Sequence, residues 1–343
     1  MGRGDSKVLT EKTMRSTRLR FENDFSGPFI THGIDITPDP EQPDAIYIFA
    51  VNHAPHPAYH PERSGREWHW EGPKARSQIE LFHHVLDTKT VRHVRSIRHP
   101  LIRTPNDIYA ESPSRFFVTN DHGYREGLRR MVEDTVPLAK WSDLAHVQLD
   151  TLEATDAEDG IDATIALKGL YNNNGLGHGR SADEILIASA AGGIFWRAQP
   201  VLNDNDGTKL SVVEEIRLES VIDNPTYYSD PYATTPDNDA SGFVLAGMRQ
   251  PLDAVFKNQT DPTAKDGAIV WHIQPNVTVS EDGTTSTSGW ETRLLFEDDG
   301  TYVRSASTAV LVPVQTRPNE GKKAWLFVTG FYAKSVVAVK VDL

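Results

Sequence analysis

The chain has 343 residues, a net charge of −13 and no cysteine. The acidic balance argues against a nucleic-acid partner, which would call for concentrated Lys and Arg, and the absence of cysteine excludes disulfides, thiolate nucleophiles and Cys-ligated zinc. The first twenty residues contain no apolar signal-peptide core and nothing later approaches the ~18 consecutive apolar residues of a membrane helix, so the chain as written reads as intracellular with no transmembrane segment.

Residues 1–17 are charged and read as a flexible segment. The opening MGRGDS matches a myristoylation pattern and contains RGD, but both motifs are short. From Arg18 onward the ordered segments are short and strand-like. AIYIFAVNHA, SQIELFHHVL, VRHVRSI, DIYAES, RFFVTND, HVQLDTL and EILIASAAGGIFWRA come first, followed by GAIVWHI, WETRLLFED, ASTAVLVPV, KAWLFVTGF and SVVAVKVDL. β-Branched and aromatic residues fill them, and Pro, Gly, Asn and Asp bound them. One helix is expected, from Tyr124 to Asp134, where Leu128, Met131 and Val132 share a face. Pro55–Arg76, with Trp68 and Trp70, and Val279–Gly289 read as long surface loops. Asn203–Gly207 reads as a turn, because the twelfth position of an EF-hand loop would fall on Val213. Asn258 and Asn276 begin glycosylation sequons that matter only after export. So many short strands imply an all-β sandwich, barrel or propeller, and periodicity alone does not choose among them.

Four stretches put amide or carboxylate oxygens at strand edges: THGID at Thr31–Asp35, PNDI at Pro105–Ile108, YNNNGLGHG at Tyr171–Gly179 and VIDNPTYY at Val221–Tyr228. Turn chemistry accounts for any one of them. Together they suit a hard cation, which takes several neutral and anionic oxygens from different segments. In a propeller the equivalent ends of the inner strands of successive blades would bring Asn106, Asn174, Asp223 and Asn224 to one channel. His32 and His53 stand at strand ends, where a histidine can act as a base near neutral pH. His53, His56 and His60 do not suit zinc, because the prolines between them preclude a helix and no ligand spacing is met.

These corners, in this order, resemble the serum paraoxonase and arylesterase family. The resemblance runs from about Arg18 to Leu343 and is densest in ELFHHVLDTKTVRHVRSIRHPLIRTPNDIYAESPSRFFVTNDHGY, with a similar ending in WLFVTGFYAKSVVAVKVDL. It implies a six-bladed β-propeller over residues 18–343 with two calcium ions in its channel. Asn106, Asn174, Asp223 and Asn224 would hold the catalytic ion, and Asp107 with the Ile34 carbonyl the structural one. His32 would be the base and His53 its partner. Asn120-Asp121-His122 would lie nearby.

The resemblance also implies an adjacent Glu-Asp pair before the HG segment and a cysteine near the end. Only thirty-one residues precede His32, and Val341 stands where the cysteine is expected. The first blade is therefore expected to be incomplete at its amino-terminal part. A catalytic site of Asp223 and three Asn amides sets one negative charge against a dication, so calcium is expected to bind weakly. The function expected is calcium-dependent hydrolysis of an aryl ester or lactone by His-activated water, on a small-molecule substrate. The family is often secreted. One rival is a degenerate, inactive propeller acting as a binding or scaffold protein. The other is an enzyme like gluconolactonase or strictosidine synthase.

Overall fold

The computed structural model describes residues 16–22, 25–59, 74–136, 138–201, 208–249, 261, 263–279, 285–316 and 320–343. The segment 1–17 lies almost wholly outside these residues, as do Trp68, Trp70, the turn at Asn203–Gly207 and the Asn258 sequon.

The strands form four sheets. The first contains β1 (Arg20–Phe21), β2 (Thr31–Pro38), β3 (Ala45–Pro55), β4 (Ala75–Val85) and β5 (Thr90–Ile97), in the order β1-β5-β4-β3-β2. The second is a meander of β6 (Pro105–Ser112), β7 (Arg115–Asn120), β8 (Ser142–Leu149) and β9 (Ile161–Leu170), with helix α1 (Leu128–Thr135) between β7 and β8. The third is a meander of β10 (Asn173–His178), β11 (Ile185–Ser189), β12 (Ile194–Pro200) and β13 (Leu210–Arg217). The fourth joins β14 (Val221–Tyr228), β15 (Gly242–Met248), β16 (Ala268–Val279) and β17 (Thr285–Asp298) to β18 (Ala306–Val314), β19 (Lys323–Gly330) and β20 (Val337–Asp342), with β14 beside β18. The parallel pairing of β1 with β5 is an addition to an antiparallel meander. Among the described residues the strands thus run as five successive meanders, four of four strands and one of three.

The chain divides into two compact units, Leu19–Asn224 and one containing Pro225–Leu343. In the first, strand alternation sends successive side chains to opposite faces. Ile108, Ala110, Phe116, Val118, Ala145 and Val147 therefore pack with Phe49, Val51, Ile79 and Leu81 of the first sheet. Their neighbours Tyr109, Phe117 and Leu144 pack with Leu176, Ile185, Ile187 and Trp196 of the third. The second sheet is covered on both faces, which explains why its strands are almost continuously buried. Phe21, Phe25 and Phe29 gather around Phe82 on the remaining face of the first sheet. In the second unit Val244, Ala246, Val270, Ala309, Leu326 and Val328 form the core.

Three local expectations are corrected. The helix starts at Leu128 rather than Tyr124, because the N–H groups of Gly123 and Tyr124 bind the buried Glu133 carboxylate and Gly127 takes φ 87°. Its apolar face is turned outward, with Leu128 80% and Met131 63% exposed. Val279–Gly289 is not a simple loop: Val279 pairs with Thr285, and TSTSG belongs to β17, where β-branched Thr suits an exposed hairpin. EILIASAAGGIFWRA is two strands, β11 and β12, reversed through Gly193 at φ 59°.

Candidate active site

His32, Asn106, Asp107, Asn174, Asp223 and Asn224 all fall at the second to fourth residue of the first strand of a meander, in β2, β6, β10 and β14. Three of these strand starts share one irregularity. Thr31 pairs with Asn52 but Ile34 with Ala50. Pro105 pairs with Asn120 but Ile108 with Val118. Asn173 pairs with Ser189 but Leu176 with Ile187. Each strand therefore carries one extra residue, a β-bulge, and the bulged dipeptides are His32-Gly33, Asn106-Asp107 and Asn174-Gly175. A bulge frees its residues from the ladder and re-aims their side chains.

The bulges are packed against one another. A Cβ on Gly33 would lie 2.3 Å from Asp107 Oδ1 and 2.4 Å from the Asn106 carbonyl oxygen, and one on Gly175 would lie 2.6 Å from Asn224 Cα. The role of Gly33 and Gly175 within the THGID and YNNNGLGHG motifs is close approach of neighbouring backbones. Asp107 ties two bulges together. Its Oδ1 accepts from the Ile108 N–H at 2.9 Å and its Oδ2 from the Leu176 N–H at 2.8 Å. Thr119 completes the link by donating to the Asn174 carbonyl at 2.8 Å while its Oγ1 accepts from the Asp107 N–H. Burial pushes the Asp107 carboxyl up to about 8 despite the two N–H bonds, with Asp223 and Asp35 adding to the rise. Burial likewise pushes Asp223 up to about 7.

The two histidines meet. His32 Nδ1 lies 3.2 Å from His53 Nε2, and His32 Nε2 lies 3.4 Å from Asn106 Nδ2. His53 Nδ1 lies 2.9 Å from Ser77 Oγ, a partner without a sequence signal because only cross-strand register supplies it. His53 is pushed down to about 4, by desolvation first and by His32 second. His32 is open to solvent on one side, yet desolvation by the surrounding protein lowers its pKa and Asp121 opposes the shift. Asp121 is held below the usual carboxylate range: burial raises it, and the bond and charge of His122 outweigh that. Asn120 has a structural role. It accepts from the N–H groups of Arg103 and Thr104 and donates to the Leu101 carbonyl and Asp143.

The donor set expected for calcium is made of two carboxylates, three amides and the Ile34 carbonyl, all hard oxygens, which fits that ion in kind. Among the described residues no three His, Asp or Glu side chains converge into a metal-holding cluster. A cavity of about 460 Å³ lies on the other face of β3 and β4, lined by Phe25, Asn52, Arg76, Gln78 and Glu80 among others. Its buried Glu80 accepts from Asn52, Gln78, His93 and Ser96 and has no unfilled acceptor site for chemistry.

Residues 68–226, a little under half of the chain, match the family model described as Arylesterase. The chain is 26% identical over 275 residues to serum paraoxonase/arylesterase 2 of Gallus gallus, covering 79% of this chain and 64% of that protein. It is 24% identical to the Bos taurus protein of the same name, covering 88% and 69%, and 29% identical over 154 residues to human serum paraoxonase/arylesterase 1, covering 44% and 37%. The chain thus spans less than two thirds of the Gallus gallus relative's length. Solved structures that align with it include a luciferin-regenerating enzyme (12% identity, TM-score 0.34, covering 92% of this chain and 96% of that one) and a functionally unknown protein from Desulfotomaculum acetoxidans (11%, 0.38, 91% and 71%). The chain is a distant relative of the paraoxonase arylesterases.

Proposed function

We propose that the protein is a hydrolase of aryl esters or lactones that depends on calcium, built on a six-bladed β-propeller over residues 18–343. The observation that carries this reading is the contact of His32 with both His53 and Asn106, where the bulges of two successive meanders meet. The distant arylesterase similarity supports the reaction class.

Asn106, Asn174, Asp223 and Asn224 would hold one calcium ion, and Asp107 with the Ile34 carbonyl a second. Bound calcium would supply Lewis-acid polarisation of the substrate carbonyl and stabilisation of the developing oxyanion. His32 Nε2 takes a proton from a water that displaces its 3.4 Å contact with the Asn106 amide, and His53 shares the resulting charge through the 3.2 Å contact. Asp107 holds β6 and β10 together and so positions the neighbouring Asn106. No Ser or Cys nucleophile is needed.

Hydrolysis of an aryl acetate and of a δ-lactone, measured with calcium and after exhaustive chelation, tests the proposal. Activity is expected to disappear on chelation, and His32→Gln is expected to lower turnover by about 10² or more. Full activity after chelation, or in His32→Gln, overturns the mechanism. No turnover by the calcium-loaded protein favours a binding or scaffold role.

A further inference from the structure

We infer that Ser77 is a positioning residue that supplies the acceptor with which the histidine pair holds the tautomers Asn106 selects; the inference rests on the hydrolase reading above and deepens it. His53 and Ser77 stand directly opposite each other where β3 pairs with β4. Ser77 Oγ, His53, His32 and Asn106 then form one line, with contacts of 2.9 Å, 3.2 Å and 3.4 Å. A neutral imidazole has one N–H and one lone pair, so protons can be arranged along this line in two ways. In the first, Ser77 accepts from His53 Nδ1–H, His53 Nε2 accepts from His32 Nδ1–H, and His32 Nε2 keeps its lone pair. In the second every bond is reversed, and His32 Nε2 already carries a proton.

The far end of the line chooses between them. The Asn106 amide nitrogen donates and cannot accept, so beside it His32 Nε2 must present a lone pair. The same amide orientation leaves Asn106 Oδ1 for a cation. Only the first arrangement meets both conditions, and it requires an acceptor at His53 Nδ1, which Ser77 Oγ supplies. The tautomer of a histidine is set by the bond its other nitrogen makes. Without the hydroxyl the His53 Nδ1–H loses its acceptor, which weakens the arrangement that Asn106 favours; wherever the His53 proton then moves to Nε2, facing His32, the base is lost.

The test compares Ser77→Thr with Ser77→Val in the full chain, two side chains of one shape that differ in the hydroxyl. Imidazole ¹⁵N–¹H correlation spectra at pH 7.5, assigned with His53→Gln and His32→Gln, read the tautomers directly. The wild type and Ser77→Thr are expected to hold His53 with its proton on Nδ1, and Ser77→Val to shift it toward Nε2. Turnover of an aryl ester is expected to fall about tenfold in Ser77→Val with KM within twofold, and Ser77→Thr to recover most of it. A wild type with the His53 proton on Nε2, or a tautomer unmoved in Ser77→Val, overturns the inference. If the wild type turns over no ester or lactone, the hydrolase reading fails, while the spectra still decide what Ser77 does.

Discussion

Gly33→Ala probes the packing of the bulges most directly. The new methyl would sit 2.3 Å from Asp107 Oδ1, 2.4 Å from the Asn106 carbonyl oxygen and 2.5 Å from Asp107 Cα. Two of these three atoms are backbone. The third cannot swing aside, because the N–H groups of Ile108 and Leu176 hold the Asp107 carboxylate. Reaching even a 3.0 Å contact requires β2 and β6 to separate by about 0.7 Å. Overpacking of this kind costs about 2–3 kcal/mol. For a unit of the size of Leu19–Asn224, that lowers the melting temperature by about 4–12 °C. Turnover should fall with it, since His32 sits one residue away and would draw back from Asn106. Thermal denaturation checks the size of the effect against Gly27→Ala, where an added Cβ meets nothing within 4 Å. If the two alanine variants melt together, the bulges are not packed as described and the argument for a shared site fails.

Asp107→Asn should destabilise the ion-free protein by about 1–3 kcal/mol, because one amide oxygen cannot serve both the Ile108 and Leu176 N–H groups; equal denaturation midpoints would contradict this. With the carboxyl raised to about 8, the folded chain binds more protons than the unfolded one between about pH 4 and 8, so Asp107 makes ion-free stability fall as pH rises through that window. Titrating stability against pH with and without calcium should show calcium flattening this fall and Asp107→Asn removing part of it; no change in slope from either would refute the assignment. His272, fully buried in β16, has the opposite sign. Burial, aided by Arg293, pushes it down to about 4, so the unfolded chain binds the extra proton between pH 4 and 6.5 and stability falls on acidification, by up to about 3 kcal/mol. Urea denaturation at pH 7.5 and 5 should show a smaller loss in His272→Leu than in the wild type, and an unchanged loss would refute it. Glu80→Ala leaves four donors without their acceptor and should cost about 3 kcal/mol or more, measured by the same denaturation; a cost below about 1 kcal/mol would show that the donors find other partners.

The sequence by itself determined what depends on neighbouring residues. Short β-branched and aromatic runs bounded by Pro, Gly and Asn can only be strands, and the HG, ND and NNG motifs marked strand starts rich in oxygen and imidazole donors. Exposed and buried strand segments have different compositions, which is why TSTSG read as loop although it pairs within β17. Which way α1 turns its apolar face was also not written locally, since amphipathicity fixes a face and not what covers it. The tertiary structure alone decided register. One extra residue in each of β2, β6 and β10 is invisible without the partner strand, yet it turns Asn106-Asp107 from an ordinary strand start into a bulge that meets Gly33 on one side and Leu176 on the other. Ser77 beside His53 belongs to the same class of fact. Their contact exists because β3 and β4 pair at that register, and a one-residue slip would send the serine to the opposite face of the sheet.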